Sequence, residues 1–348
     1  MKNITIFTLY FANNIGAYLQ AVALRQVLLT ISPNCNVTFG KIDSLVASSS
    51  HKLNIFNKVL KYFKQGNFAK LRFKIKTNKM YRELQQNMPI SIVGDKYTTD
   101  YAIIGSDEVW NVASQGFVHY PQFFGHKISA KKIIAYAPSG NGISVEKFRE
   151  YAPDEDFRYI THLSARDNGT LETVKKISNR NVTHVVDPTA LVEDFDHPIP
   201  PCPIETDFIL VYSYGISKNR VKAIKDFAKK NRLKIISVAT YNSWADKNII
   251  ATPWEFLSYM KKAQYVITST FHGTILSIKY NKNFICYSNL NNKVLEILSL
   301  YNLKERDMHN HSDIEGAFST GIDYKIVNQI IKETRDISLN YLKSTLID

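Results

Sequence analysis

Four prolines stand within seven residues just past the middle of the chain, in His197-Pro198-Ile199-Pro200-Pro201-Cys202-Pro203. Proline has a fixed φ and no backbone N–H, so this segment is neither helix interior nor central strand. It divides the chain into two stretches, and each alternates apolar runs with helix-period segments. Before the prolines, Met1–Tyr10, Val37–Ile42, Tyr101–Ile104, Lys132–Ala137, Tyr159–Leu163 and Val182–Val186 read as strands. Ala17, Ala21, Leu24, Leu28 and Ile31 recur at steps of three and four, one face of a helix. After the prolines come strand Phe208–Tyr212, helix Lys218–Asn231 and strand Lys234–Val238. Thr252-Pro253-Trp254-Glu255 has the residues of a capping box with proline in the first turn, and opens a helix to about Lys262. Strand Tyr265–Thr268, helix Thr274–Tyr280 and strand Phe284–Tyr287 follow. A last amphipathic helix begins near Asp323, with Val327, Ile330, Ile337 and Tyr341 on one stripe. Such alternation predicts parallel sheets flanked by helices. The expected architecture is α/β, with two Rossmann-like domains around a central cleft. Residues 1–197 form the first domain, with a basic helical insertion at 52–82. Residues 198–322 form the second, and 323–348 a C-terminal helix. A chain of 348 residues is long enough for two domains.

Charge is distributed unevenly. The formal net charge is +13, and Lys52–Arg82 holds ten basic residues with no Asp or Glu, so that segment carries +10 of it. Ile55, Phe56, Val59, Leu60, Phe63, Phe68, Leu71, Phe73 and Ile75 are interleaved with the bases. Two readings stay open: an exposed basic hairpin, or a surface for acidic lipid headgroups or a lipid-diphosphate glycan. Nucleic acid is not an expected partner, since no recognition motif accompanies the charge. No apolar run approaches the ~20 residues of a membrane-spanning helix. Cys35, Cys202 and Cys286 are too few and too scattered for a disulfide framework or a Cys-rich zinc site. Neither a metal nor a cofactor is expected. Lys2 and the apolar run Ile4–Ala12 are followed by Asn13-Asn14-Ile15-Gly16 rather than a small-residue cleavage site, so a first strand and a cytoplasmic protein are expected.

In doubly wound sheets ligands sit beyond the carboxyl ends of the strands, and four strand ends carry residues capable of chemistry. Asn14 and Gly16 open the first helix, where amides can face an anion or a sugar hydroxyl; Asn14 can equally be only its N-cap. No dinucleotide fingerprint or Walker A motif occurs. Asp107, in Gly105-Ser106-Asp107-Glu108-Val109-Trp110-Asn111, can take a proton from a hydroxyl or cap the next helix. Arg166 can grip carboxylate or phosphate with its planar fork, or pair with Asp167 or Asp187. Ser269, Thr270, Gly273 and Thr274 crowd a strand-to-helix turn suited to an anion. His272 in that turn can deliver a proton, cap the helix or sit in the core.

Together these segments resemble the polysaccharide pyruvyl transferase family. The matching residues are Asn14-x-Gly16-Ala17 with Leu19-Gln20 and Ala23-Leu24, Gly105 through Asn111, and Ser164-x-Arg166-Asp167. Asp187-Pro188 and Ser269-x-Phe271-His272-Gly273 follow in the family's order, and the resemblance spans residues 3 to about 306. It implies a GT-B-like pair of domains and transfer of the pyruvyl group of phosphoenolpyruvate onto a sugar as a ketal. By that analogy Arg166 binds the donor anion and His272 protonates its methylene carbon. Many members carry Arg two residues before the motif histidine, where this chain has Thr270; Lys293 or Arg306 is then the expected source of charge. The implied acceptor is a cell-surface glycan or its lipid-linked precursor.

Two other functions fit the same residues. One is a nucleotide-sugar glycosyltransferase, for which Tyr241 and Trp244 can stack on a base, although no carboxylate for a ribose is evident. The other is a non-catalytic protein of glycan assembly.

Overall fold

The computed structural model describes residues 1–42, 67–91, 97–114 and 120–346. Of these, 1–42, 85–91, 97–114, 120–196 and 331–346 group into one compact unit, and 67–84 with 197–330 into a second.

The first unit is built on a five-stranded sheet ordered β3-β2-β1-β4-β5, from β1 (Lys2–Phe7), β2 (Cys35–Gly40), β3 (Ile90–Ser91), β4 (Tyr97–Ile104) and β5 (Ile128–Ala135). Every pairing is parallel. β1 buries Ile4, Ile6 and Phe7 on both faces, which is why it reads as a continuous apolar run rather than an alternating one. The helix Ile15–Ile31 buries Ala17, Ala21, Leu24 and Leu28 of the predicted stripe, while Ile31 at its end is only partly buried. Phe7, Ile104, Trp110, Phe123, Phe124, Phe148 and Phe157 share one core, within which the Trp110 indole N–H donates to the Phe123 carbonyl at 2.9 Å. A short parallel pair, β6 (Leu163–Ala165) and β7 (Val182–His184), continues from β5.

Of the expected strand Tyr159–Leu163, residues 159–161 are turn and irregular backbone, His162 forms a single bridge to Ile134, and the strand begins at Leu163. Phe157 has φ +62°, and the Arg180 guanidinium donates to the carbonyls of Phe157, Ile160 and Thr161. Those carbonyls serve an arginine in place of a ladder.

The second unit repeats the plan. β8 (Phe208–Tyr212), β9 (Lys234–Val238), β10 (Lys247–Ile249), β11 (Tyr265–Thr268) and β12 (Asn283–Cys286) are ordered β10-β9-β8-β11-β12, all parallel. The Thr252 capping box is present: the Glu255 amide donates to Thr252 Oγ1 at 3.2 Å, and the Thr252 amide to Glu255 Oε2 at 2.7 Å. The helix expected from Thr274 begins earlier, at Phe271, because Thr270 caps it. β3 and β10, of two and three residues, are too short and polar to show as apolar runs.

The grouping departs from a linear division of the chain. Residues 67–84 belong with the second unit rather than with the first domain, and the last helix, Tyr324–Thr345, has its start in the second unit and its remainder from Ile331 in the first. The helix Phe68–Gln86, which groups with the second unit as far as Leu84, buries Leu71 and Tyr81, and the Phe73 ring meets that of Tyr241 edge-on at 5.7 Å. Residues 52–66 of the expected basic insertion lie outside the described residues.

In each sheet the winding reverses beside the first strand, between β1 and β4 and between β8 and β11. Those two strand ends are where a ligand crevice is expected in each unit.

Candidate active site

In the first unit the reversal point is tied across its two strands. The Gly105 amide donates to the Phe7 carbonyl at 2.9 Å. Beside it, Gln20 Nε2 donates to Thr8 Oγ1 at 3.0 Å, Thr8 Oγ1 to the Ser106 carbonyl at 3.0 Å and Ser106 Oγ to Gln20 Oε1 at 2.9 Å. This closed buried ring satisfies its own polar groups and fixes the turn. Gly105 has φ +108°, and a Cβ there would fall 2.3 Å from the Tyr136 carbonyl oxygen, so no other residue fits. Asp107 follows with φ +71°, left-handed for a non-glycine residue. It caps no helix.

Its carboxylate faces Arg166 instead. Arg166 Nη1 donates to Asp187 Oδ2 at 2.7 Å and Nη2 to Asp107 Oδ1 at 3.4 Å. The side chains of Arg166 and Asp187 are 3% and 0% exposed, and that of Asp107 13%. Burial opposes the guanidinium charge, but Asp187 and Asp107 outweigh it and hold the group above its ordinary pKa. Of the open readings of Arg166, the salt bridge is the one present, and its partner is Asp187, not Asp167. Asp167 caps the helix Asn168–Ser178, its Oδ1 accepting from the Thr170 amide at 2.9 Å and hydroxyl at 2.7 Å. The guanidinium thus lies between two carboxylates, those of Asp187 and Asp107. Asn14 is likewise a cap: its Oδ1 accepts from the amides of Gly16 at 2.7 Å and Ala17 at 3.3 Å, so the Gly16 N–H is already engaged.

In the second unit the reversal point holds the histidine. Thr268 Oγ1 donates to the Tyr212 carbonyl at 2.9 Å and accepts from the Thr270 amide at 3.1 Å. Ser269 Oγ accepts from the Tyr214 amide at 2.9 Å, Thr270 Oγ1 from the Gly273 amide at 2.9 Å, and Thr274 Oγ1 donates to the Thr270 carbonyl at 2.9 Å. The hydroxyls expected to hold a donor therefore build the turn. A Cβ on Gly273 would stand 2.0 Å from Thr268 Oγ1, so the motif glycine is required by this packing. His272 is the second residue of the helix Phe271–Lys279, 8% exposed, with its ring perpendicular to that of Phe271. The cap is Thr270, so His272 is not needed for that task.

Arg306 is not the missing cation. It is 1% exposed, and its guanidinium donates to Asn283 Oδ1 and to the carbonyls of Ala317, Thr320 and Gly321. Lys293 is half-buried in the first turn of the helix Asn292–Leu300, where its amide donates to Asn291 Oδ1 at 3.2 Å. Sequence reasoning missed Arg220. Its guanidinium lies over the Tyr287 ring at 4.6 Å and donates to Asn289 Oδ1 at 3.2 Å and the His309 carbonyl at 2.7 Å, beyond the carboxyl end of β12. The available signal was its place in the first turn after β8, but five lysines share that helix and made it look like a solvated face.

Tyr241 and Trp244 are both used in packing, the first against Phe73 and the second against the core that holds Ile209, Ile224 and Ile267. Tyr214, at the end of β8, is 57% exposed. Burial pushes the Cys286 thiol, 3.5 Å from Thr274 Oγ1, up to about 12, so it stays protonated and is no nucleophile. Among the described residues no group of three or more His, Cys, Asp or Glu side chains is placed to hold a metal ion.

A family model described as polysaccharide pyruvyl transferase matches residues 14–292. No curated protein matches the chain. Similar solved structures include UDP-GlcNAc 2-epimerase from Neisseria meningitidis bound to UDP-GlcNAc, at 12% identity over 96% of this chain and 100% of that one, TM-score 0.45. The S. aureus MnaA-UDP co-structure has 13% identity over 95% and 91%, TM-score 0.49. E. coli heptosyltransferase WaaC with ADP-2-deoxy-2-fluoro heptose has 9% identity over 82% and 88%, TM-score 0.36.

Proposed function

Because the chain belongs to the polysaccharide pyruvyl transferase family, we propose that it moves the pyruvyl group of phosphoenolpyruvate onto two hydroxyls of one glycan sugar, forming a ketal and releasing phosphate. The supporting observation is the buried His272 at the reversal point of the second sheet, on a helix that another residue caps. In this reading protonated His272 gives its proton to the methylene carbon of the donor. C2 becomes electrophilic, a sugar hydroxyl adds to it, and Asp107 takes that hydroxyl's proton. The C2–O bond to phosphate then breaks, and a second hydroxyl closes the ring. Of the two hydroxyl protons, one restores the acid and the other leaves on hydrogen phosphate. Lys293 and Arg220 are assigned to the donor's negative charge, and Arg166 to holding Asp107.

The test is a thermal shift with phosphoenolpyruvate against a nucleotide-sugar panel. A ligand at 100 times its Kd stabilises the folded state by about 2.7 kcal/mol. Phosphoenolpyruvate is expected to raise Tm and the nucleotide sugars to leave it unchanged. The reverse pattern would establish the glycosyltransferase reading, which has lost Tyr241 and Trp244 as free stacking surfaces. A shift with neither, and no phosphate release with acceptor, would favour the non-catalytic reading.

The acceptor in this reading is a cell-surface glycan or its lipid-linked precursor, met at the cytoplasmic face of the membrane. Among the described residues no helix is long and apolar enough to cross a membrane. The helix Phe68–Gln86 exposes Arg72, Lys76, Lys79 and Arg82 together with Phe68 at 55% and Ile75 at 59%. Cations beside exposed apolar side chains suit an anionic lipid surface, where each Lys or Arg contributes about 1 kcal/mol. Co-sedimentation with vesicles should rise with anionic lipid content and fall with salt, as the Debye length shrinks to about 8 Å at physiological ionic strength. Binding indifferent to both, or no binding, would leave this helix as a solvated basic face.

A further inference from the structure

The first unit has a second concave site, at the short β6–β7 pair beyond β5 rather than at the β1–β4 reversal point. A cavity of about 640 Å³ opens at the amino ends of β6 and β7, lined by His162, Lys175, Asn179, Arg180, Asn181 and Tyr341 among others. None of its lining residues is Asp or Glu. Arg180 is held without a carboxylate: Nη1 donates to the Ile160 carbonyl at 2.7 Å and Nη2 to that of Thr161 at 2.7 Å. Carbonyl dipoles fix the plane of the guanidinium but leave its formal charge uncancelled, an arrangement suited to an oxyanion. Asn179 and Asn181 also line the cavity, and Lys175 is exposed at it.

His162 reports the local field. Burial comes first, then Lys132 and Arg180, in pulling its pKa below the ordinary histidine value. Two neighbouring cations thus disfavour a third. The other titratable groups here are Lys175 and Tyr341, and the Tyr341 hydroxyl donates to the Ala135 carbonyl at 2.9 Å.

We infer that this cavity binds a phosphate-class oxyanion, held by Arg180 and Lys175, separately from the site that holds His272. The ligand can be free phosphate, a diphosphate or a sugar phosphate, all of which present the same oxygens. A bound anion offsets the charge of the two cations near His162, so the ring protonates more readily.

The experiment follows the His162 ring resonances by NMR during pH titrations, with inorganic phosphate, pyrophosphate or glucose 1-phosphate against chloride at constant ionic strength. A saturable rise in the His162 midpoint is expected, and the probe with the lowest half-saturation identifies the source. Lys175 is exposed, and Lys175→Met is expected to weaken that half-saturation two- to fivefold, the scale of one partly exposed ion pair, with the chain still folded. The same variant should leave the phosphoenolpyruvate-induced Tm shift unchanged, which separates this site from the donor site. No midpoint change beyond the chloride control, or an unchanged half-saturation in Lys175→Met, would overturn the inference.

Discussion

Replacing His272 by Ala is expected to leave the protein folded and able to bind phosphoenolpyruvate, while lowering phosphate release by about 10²–10⁴-fold. That range is typical for removing a general acid, and the local structure explains why the fold should survive. Thr270 and the Gly273 amide close the first turn without the imidazole, and Thr268, Ser269 and Thr274 complete the turn with their own hydroxyls. Alanine is also the residue best tolerated inside a helix. The decisive comparison is therefore between Tm, the donor-induced Tm shift and the rate of phosphate release in one preparation. Release at the wild-type rate would take His272 out of the mechanism. A collapse of Tm with no donor-induced shift would instead make the ring part of the core. A change in donor affinity alone would assign His272 to binding.

The alternation of strand and helix was legible because both sheets are buried on both faces and built from adjacent chain segments. Thr252 and Glu255 were legible for a similar reason, since a capping box is completed within four residues. The site was harder to read wherever a residue's task is set by a distant partner. Arg166 lies 21 residues from Asp187 and 59 from Asp107, and no local pattern chooses between gripping a donor and holding those carboxylates. Arg306 shows the same limit: four groups between Asn283 and Gly321 enclose it, yet the sequence offers only a cation in a loop. Asn14 could be read either way because an N-cap and an anion-binding helix start use the same amides. The helix Phe68–Gln86 carried a clear charge signal, but residues 68–84 group with the second unit, where Phe73 meets Tyr241, and Phe73 was legible only as an apolar residue among bases.

The enclosure of Arg166 leads to the second large effect. Arg166→Met keeps much of the side-chain volume and removes the charge, which leaves Asp187 fully buried beside an apolar neighbour. Breaking a buried ion pair from one side destabilises by about 3–5 kcal/mol, most of it from the charge left behind. Arg166→Met is expected to lose about that much in denaturant unfolding. Adding Asp187→Asn should recover a large part, because the orphaned charge is then gone. The new side-chain amide oxygen can still accept from the Thr189 amide, as the Asp187 carboxylate does at 3.0 Å. Activity should not return with stability. If Arg166 acts by holding the Asp107 carboxylate, the double variant folds well and still turns over slowly, with kcat reduced and the donor KM little changed. Asp107→Asn in an otherwise wild-type chain should show the same kcat defect, since an amide cannot take the hydroxyl proton. A double variant that recovers both stability and kcat would reduce Arg166 to a structural salt bridge. A large rise in donor KM in that stable variant would return Arg166 to the donor-binding role implied by family resemblance.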